Sequence, residues 1–536
     1  MRIIASIAAL AVVVTGIGQM ETLAKLSAKT LAPNYPSQGL CRRAPLLAAL
    51  GPEREQQQTQ YPRGGVVKPR HVPVYSIAPP PSVVPPPSAA PPPAPPPPVT
   101  VEPDVAGDTE IVTTARRTES RAEDKSAAKS SPSTAESASP IAPPYRPDDL
   151  ATDDRGYYPY PRPQPQPQSG VLTAGEHDDL LNPELYARYT RNANIGQRIP
   201  ALPTLDTRRM LTVVVTDSGG QPVPFAQVTL TCADGNSLSF ATMADGTVAY
   251  FPTLDRLGSE VTISVGRDQG QAAKPRRVLI DTAPGSQRIS ITSAYRSVPI
   301  RKLDLALVVD TTGSMGDEIN YVQAELRGIV RALVARHPGI DIRIGLVFYR
   351  DEGDDYVTRT FAFDGQVGAV QARIANQHAN GGGDEPEAME KALNRAVQLQ
   401  WRPDAAKSMV LIADAPPHDE LMGQAWAATE AARAKRIHIV PVAASGVSDT
   451  AEYVMRGMSA LTQSRYLFLT DDSGVGNAHA APAIDCYLVT RLDGMIRRVL
   501  DSQISGRRIE PERQEIIRSV GQYDAGKCVL PRGNWQ

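Results

Sequence analysis

Of the 536 residues, 56 are basic and 58 acidic. The resulting formal charge of −2 offers no electrostatic footprint for nucleic acid, so no nucleic-acid partner is expected. Glycine and proline are abundant but follow no Gly-X-Y period, which excludes collagen, and no run of about 20 apolar residues is present to span a bilayer. All 7 Phe and all 3 Trp lie beyond position 224, so the front two-fifths of the chain lacks the large groups that build a core.

Arg2 precedes an apolar run at 3–17 with the length of an export signal. Val14-Thr15-Gly16 and Thr22-Leu23-Ala24 both end in small residues. Residues 1–24 therefore read as a signal peptide or as an uncleaved signal-anchor, which would attach the chain to a membrane. The expected location is the periplasm, the cell envelope or the medium. In such oxidising surroundings Cys41, Cys232, Cys486 and Cys528 can pair in three ways. Cys486 with Cys528 is the favoured pair, because the two flank a C-terminal segment that reads as a helix in need of tethering.

Residues 25–205 read as a disordered linker. Between Tyr61 and Gly170 stand 27 of the 49 prolines, among Ser, Ala, Gln and charges, a mixture that cannot recover the entropy lost on ordering. One island near 172–189 has the periodicity of a short helix leading into the folded part. Residues 206–297 change to short alternating strands at 211–215, 227–231 and 261–265, separated by Ser218-Gly219-Gly220, Asp234-Gly235 and Asp245-Gly246 turns. This predicts a small all-β sandwich. Its run 214–228, followed by Asp245-Gly246-Thr247-Val248, resembles the carboxypeptidase-regulatory-like family, whose modules are usually passive.

From Lys302 onward apolar strands alternate with amphipathic helices, predicting an α/β fold: a doubly wound, mostly parallel sheet with helices on both faces. Strands are expected at 303–309, 342–349, 356–363, 409–413, 437–442 and 466–469. Helices are expected at 318–334, 367–376, 386–399, 424–435 and 487–502, the last within a C-terminal helix and tail at 476–536. In such sheets the functional crevice lies beyond the carboxyl ends of the strands. Asp310 ends one strand, Asp414 ends another, and a third loop, Gly381-Gly382-Gly383-Asp384-Glu385-Pro386-Glu387, precedes a helix. Carboxylates with the hydroxyls of Thr312 and Ser314 form an oxygen-only set, which suits Mg2+ or another hard cation and not zinc. The acidic loop Asp351, Asp354 and Asp355 reads as solvated surface.

Asp310-x-Thr312-x-Ser314 resembles the Asp-x-Ser-x-Ser of von Willebrand factor type A (vWA) domains, over roughly residues 300–475. The resemblance implies a metal-ion-dependent adhesion site. Asp310, Thr312 and Ser314 would be its first-loop ligands, Asp384 would stand in place of the second-loop threonine, and Asp414 would be the third-loop aspartate. It further implies Mg2+ (or Mn2+ or Ca2+) and an unidentified protein ligand. A carboxylate at 384 adds negative charge where family members present a hydroxyl, so either the metal is structural or Asp384 binds through water. The expected function is metal-dependent protein binding or adhesion by an exported envelope protein, not an enzyme. A structural envelope scaffold with a purely structural metal is one alternative. A metal-assisted hydrolase using His418 as base is another, although no nucleophile elbow, P-loop or metallopeptidase signature is present.

Overall fold

The computed structural model describes residues 39–47, 49–50, 53, 171–203, 205–267, 270–271, 273–383, 385–444, 446–474 and 479–529. The signal at 1–24 and the proline-rich stretch at 61–170 lie outside the described residues, and so does Asp384.

Apolar runs build the centre of the molecule. Strands β10 (Lys302–Asp310), β11 (Asp341–Tyr349), β13 (Ala406–Ala413), β14 (His438–Ala443) and β15 (Tyr466–Thr470) are rich in Val, Ile and Leu. They pair in parallel, as near-continuous apolar strands do when helices cover both faces. The sheet has nine strands in the order β12-β11-β10-β13-β14-β15-β1-β16-β17. Its antiparallel members are β12 (Thr358–Asp364), β1 (Thr173–His177), β16 (Tyr487–Arg491) and β17 (Arg518–Val520). The helices longer than one turn are α1 (Pro183–Ala193), α2 (Gly316–Arg336), α3 (Val367–Ala375), α4 (Met389–Gln398), α5 (Met422–Ala434), α6 (Asp449–Leu461) and α7 (Leu492–Ser505). One apolar cluster packs α4, α5 and α6 on one face, and a second packs α2, α3 and α7 on the other. This is the expected α/β class.

Three expectations need correction. The span 25–205 is not all linker, since Thr173–His177 is a buried strand seated between β15 and β16. Gly175 makes the fit, because a Cβ there would lie 2.2 Å from the Phe468 ring. Residues 39–47 also pack: the backbone N–H groups of Cys41 and Arg42 donate to the carbonyls of Arg256 and Asp255, and Arg42 pairs with Glu430 at 2.9 Å. Second, the helix expected at 487–502 divides into strand β16 and helix α7, because Tyr487-Leu488-Val489 is β-prone and pairs with both β1 and β17. The α/β unit therefore runs past 475. Third, α6 was not expected, although Ser448 caps it by accepting from the Ala451 N–H.

Ahead of this sheet, two smaller ones enclose a shared apolar core. One holds β2 (Leu211–Thr216), β5 (Thr247–Tyr250) and β9 (Gln287–Thr292) in the order β5-β2-β9. The other holds β3 (Gln227–Cys232), β4 (Ser237–Ala241), β6 (Glu260–Arg267) and β7 (Gly270–Gln271), with β8 (Arg276–Leu279) paired to β6. Helix α5 is buried nearly all round because this sandwich covers its outer side. Arg433 of α5 forks onto both oxygens of Asp255 at 2.8 Å and donates to the Ala249 carbonyl. Disulfides join Cys41 to Cys232 and Cys486 to Cys528, so no cysteine is free.

Candidate metal centre

Parallel pairing brings the candidate residues to one end of the sheet. Asp310 closes β10, opposite Tyr349 of β11. Val309 pairs with Ile412 of β13, so Asp414 emerges one residue beyond the level of Asp310. The chain turns sharply after Asp310. Its Oδ1 accepts from the Thr312 N–H at 2.9 Å and from the Thr312 hydroxyl at 2.8 Å, and Thr312 Oγ1 lies 3.2 Å from Ser314 Oγ. Three of the expected ligands thus form one hydrogen-bonded chain. Asp310 and Thr312 are buried, whereas Ser314 is exposed and marks the mouth.

The glycine loop closes one side. Gly381, Gly382 and Gly383 all have positive φ, a conformation that side chains resist. Gly313 N–H donates to the Gly381 carbonyl and Asn380 N–H to the Thr311 carbonyl. A Cβ at Gly382 would meet Glu387 Oε1 at 2.8 Å and Thr312 at 3.1 Å. Asp354 is not merely solvated surface: its Oδ2 accepts from the Gly382 and Asp351 N–H groups and braces the loop. Arg350 ties the same region together, donating to the carbonyls of Thr311 and His378.

Negative charge accumulates here. Burial, followed by the Asp414 charge, raises the Asp310 carboxyl to about 7. Glu387 is raised to about 9 by burial and by Asp310, Asp351, Asp354 and Asp414. The buried Tyr349 phenol is pushed up by burial and by the charges of Asp310 and Asp414. Glu387 and Tyr349 were not singled out from the sequence; the signal was present for Glu387 as part of the acidic glycine loop, but nothing marked Tyr349. His418 stands elsewhere on the rim, 3.1 Å from Asp351 Oδ1 and 3.6 Å from Glu390 Oε2, and the Glu390 carboxylate chiefly holds it above the ordinary imidazole range.

Asp310 Oδ2 is buried with no donor in good hydrogen-bond geometry, the Tyr349 hydroxyl being the polar group beside that carboxyl, and Glu387 Oε2 is likewise buried without a partner. Orphaned carboxylate oxygens beside paired hydroxyls suit a hard cation. Among the described residues no three His, Cys, Asp or Glu side chains gather as a metal-binding group. The described part of the expected set is two carboxylates, Asp310 and Asp414, with the hydroxyls of Thr312 and Ser314.

The family model for the von Willebrand factor A domain matches residues 304–479. These residues form a vWA domain. Within the chain, a stretch of 117 residues is 30% identical to the alpha-protein kinase vwkA of Dictyostelium discoideum, covering 22% of this chain and 19% of that protein. Another, of 118 residues, is 36% identical to von Willebrand factor A domain-containing protein 7 of Mus musculus, covering 22% of this chain and 12% of the mouse protein. The chain thus spans less than a fifth of the length of either relative. Among solved structures, BatB of Bacteroides thetaiotaomicron is similar at a TM-score of 0.27 and 11% identity, over 38% of this chain and 98% of that one. The pilus adhesin SpaC of Lactobacillus rhamnosus GG, in its open conformation, is similar at 0.26 and 13%, over 46% and 31%. The vWA domain carries β10 to β15, while β1, β16 and β17 complete its sheet and α7 packs on one face, all from outside the matched residues.

Proposed function

We propose that the vWA domain is a cation-dependent protein-binding module of an exported cell-envelope protein. The observation that carries this reading is the buried Oδ2 of Asp310, with no donor in good hydrogen-bond geometry, at the head of the Asp310-Thr312-Ser314 chain and one residue below the level at which Asp414 emerges. Asp310, Thr312, Ser314 and Asp414 would hold Mg2+, Mn2+ or Ca2+, with Asp384 as a further oxygen donor. The cation would supply an electrophilic position at the mouth for an acidic group of the partner. The protein's own groups shape that mouth: Asp354 and Arg350 fix the loops, and exposed Ser314 stands at its edge. His418 is engaged by two carboxylates, which supports a positioning role over that of a free base, and we read the module as non-enzymatic. Export is supported by the pairing of all four cysteines, since disulfides persist in oxidising compartments.

Thermal melts of the full chain in Mg2+, Mn2+, Ca2+ or chelator test the reading, with Asp310→Ala alongside. A cation at 100 times its Kd adds about 2.7 kcal/mol to the wild type and nothing to the variant. Absence of any shift in chelator-stripped protein would remove the metal and leave the scaffold alternative, in which the contact surface lies elsewhere. Ser314→Ala, at an exposed position, is expected to weaken partner binding while the melting temperature in chelator holds.

A further inference from the structure

The other end of β13 carries the opposite charge. Lys407, near its start, is 7% exposed, and Arg436, between α5 and β14, is 6% exposed. With Lys435 they line a cavity of about 550 Å³ whose remaining wall includes Phe225 and Gln227 of the β-sandwich. Each cation donates only to backbone. Lys407 Nζ reaches the Lys435 carbonyl at 3.0 Å, Lys435 Nζ the Val397 carbonyl at 2.8 Å, and Arg436 the carbonyls of Ala405 and Pro403. An ammonium has three donors, so Lys407 and Lys435 each keep two unused by these bonds.

The nearest carboxylates are engaged elsewhere. Asp404 also lines the cavity, but Lys302 holds it at 2.6 Å; Asp304 is clasped by Arg343 and Arg402. Among the described residues no carboxylate forms an ion pair with Lys407, Lys435 or Arg436. Burial and the Arg436 charge pull Lys407 down to about 8, the response of a buried cation among cations.

Backbone geometry sets the cluster in place. Arg436 stacks on the Phe225 ring at 3.9 Å, and both residues adopt the left-handed conformation, with φ of 58° and 64°. At Arg436 this is the turn that ends α5, with the Arg436 N–H donating to the Arg433 carbonyl and the Ile437 N–H to the Ala432 carbonyl, and it fixes where the guanidinium leaves the helix end.

We propose that this cavity binds a small phosphate-class oxyanion, held between Lys407, Lys435 and Arg436. Multiple acceptor oxygens on one doubly charged group match several convergent donors, which a single halide would not. A soluble phosphate and an anionic phospholipid headgroup both present this chemistry. The site is independent of the metal centre, because Lys407 and Asp414 are separated by roughly 23 Å of extended strand.

Titration calorimetry of the full chain with inorganic phosphate at pH 7, with sodium chloride holding ionic strength constant, tests the proposal. Saturable one-site binding is expected, together with a rise in melting temperature that chloride does not reproduce. Lys435→Gln, at an exposed position that leaves the fold intact, weakens phosphate binding at least tenfold. Lys407→Gln removes the phosphate response, and Asp310→Ala keeps it. No saturable heat, or equal phosphate affinity in wild type and both lysine variants, would overturn the site. Sedimentation with phosphatidylglycerol but not phosphatidylcholine vesicles, lost in Lys435→Gln, assigns the phosphate to a headgroup. A phosphate response without vesicle binding assigns it to a soluble ligand.

Discussion

Strands β10 and β1 lie in one sheet and are both buried, yet different forces hold them. From Leu303 to Val309, β10 is apolar apart from Asp304, and Leu303, Leu305, Ala306 and Val308 are at most 1% exposed. Each buried Leu or Val there contributes about 1.5–3 kcal/mol by leaving water. The sequence of β1, Thr-Ala-Gly-Glu-His, offers little of this. Its Thr173 hydroxyl donates to the Thr470 carbonyl, and Glu176 meets Arg465 at 2.8 Å. Just beyond it, Asp179 receives both Nε and Nη2 of Arg456, which also pairs with Glu452. Apolar burial is divided among many contacts, so no one of them is decisive. Buried ion pairs concentrate stability in a few partners, and loss of one strands a charge.

Three experiments sharpen this contrast. Arg456→Ala leaves Asp179 and Glu452 buried without their guanidinium, and urea unfolding should show a loss of about 3–5 kcal/mol. Leu305→Ala in β10 should cost about 3 kcal/mol in the same assay, through lost transfer energy and the cavity left behind. The smallest effect is acid sensitivity. Burial pushes the Asp179 carboxyl up, but Arg456 and His177 pull it further down, from 3.8 to about 2. A depressed folded value means that its stabilisation is complete above about pH 4 and is lost as pH falls towards 2, a change of about 2 kcal/mol. Unfolding measured across pH 4 to 2 should show this slope in wild type and Leu305→Ala but not in Arg456→Ala. A slope of equal size in all three would mean that Asp179 is not what anchors the end of β1.

The same contrast explains what could be read in advance. Strand β10, its terminal Asp310-x-Thr312-x-Ser314 and the strand leading to Asp414 stand out because apolar periodicity marks the strands and topology places their ends together. Strand β1 carries no such signal: its partners Arg465 and Arg456 lie nearly 300 positions away, so its ion pairs exist only in the folded chain. Proline content drew the linker boundary past it, to 205. The helix at Asp449–Leu461 was detectable from its Ser448 cap, whereas the division of 487–502 into strand and helix required knowing that β1 waits beside it. At the metal centre, Asp354 and Glu387 resemble surface acids in the sequence. They become part of the site because three left-handed glycines turn the loop over Thr312.

Strand β1 also sets a schedule. Thr173 accompanies Thr470 and Arg491 in the finished sheet, yet the ribosome releases it some 297 residues before Thr470. At roughly 5–20 residues per second, that is an interval of about 15–60 s during which β15 has not been made. When β15 and β16 emerge, each presents an unpaired edge facing a gap one strand wide. Such edges recruit whatever extended chain is nearby, including another copy of the same protein. Residues 178–210 join β1 directly to the sandwich that begins at Leu211, so β1 stays on a short covalent tether while β15 and β16 are made. That tether raises the local concentration of the correct strand above that of its competitors.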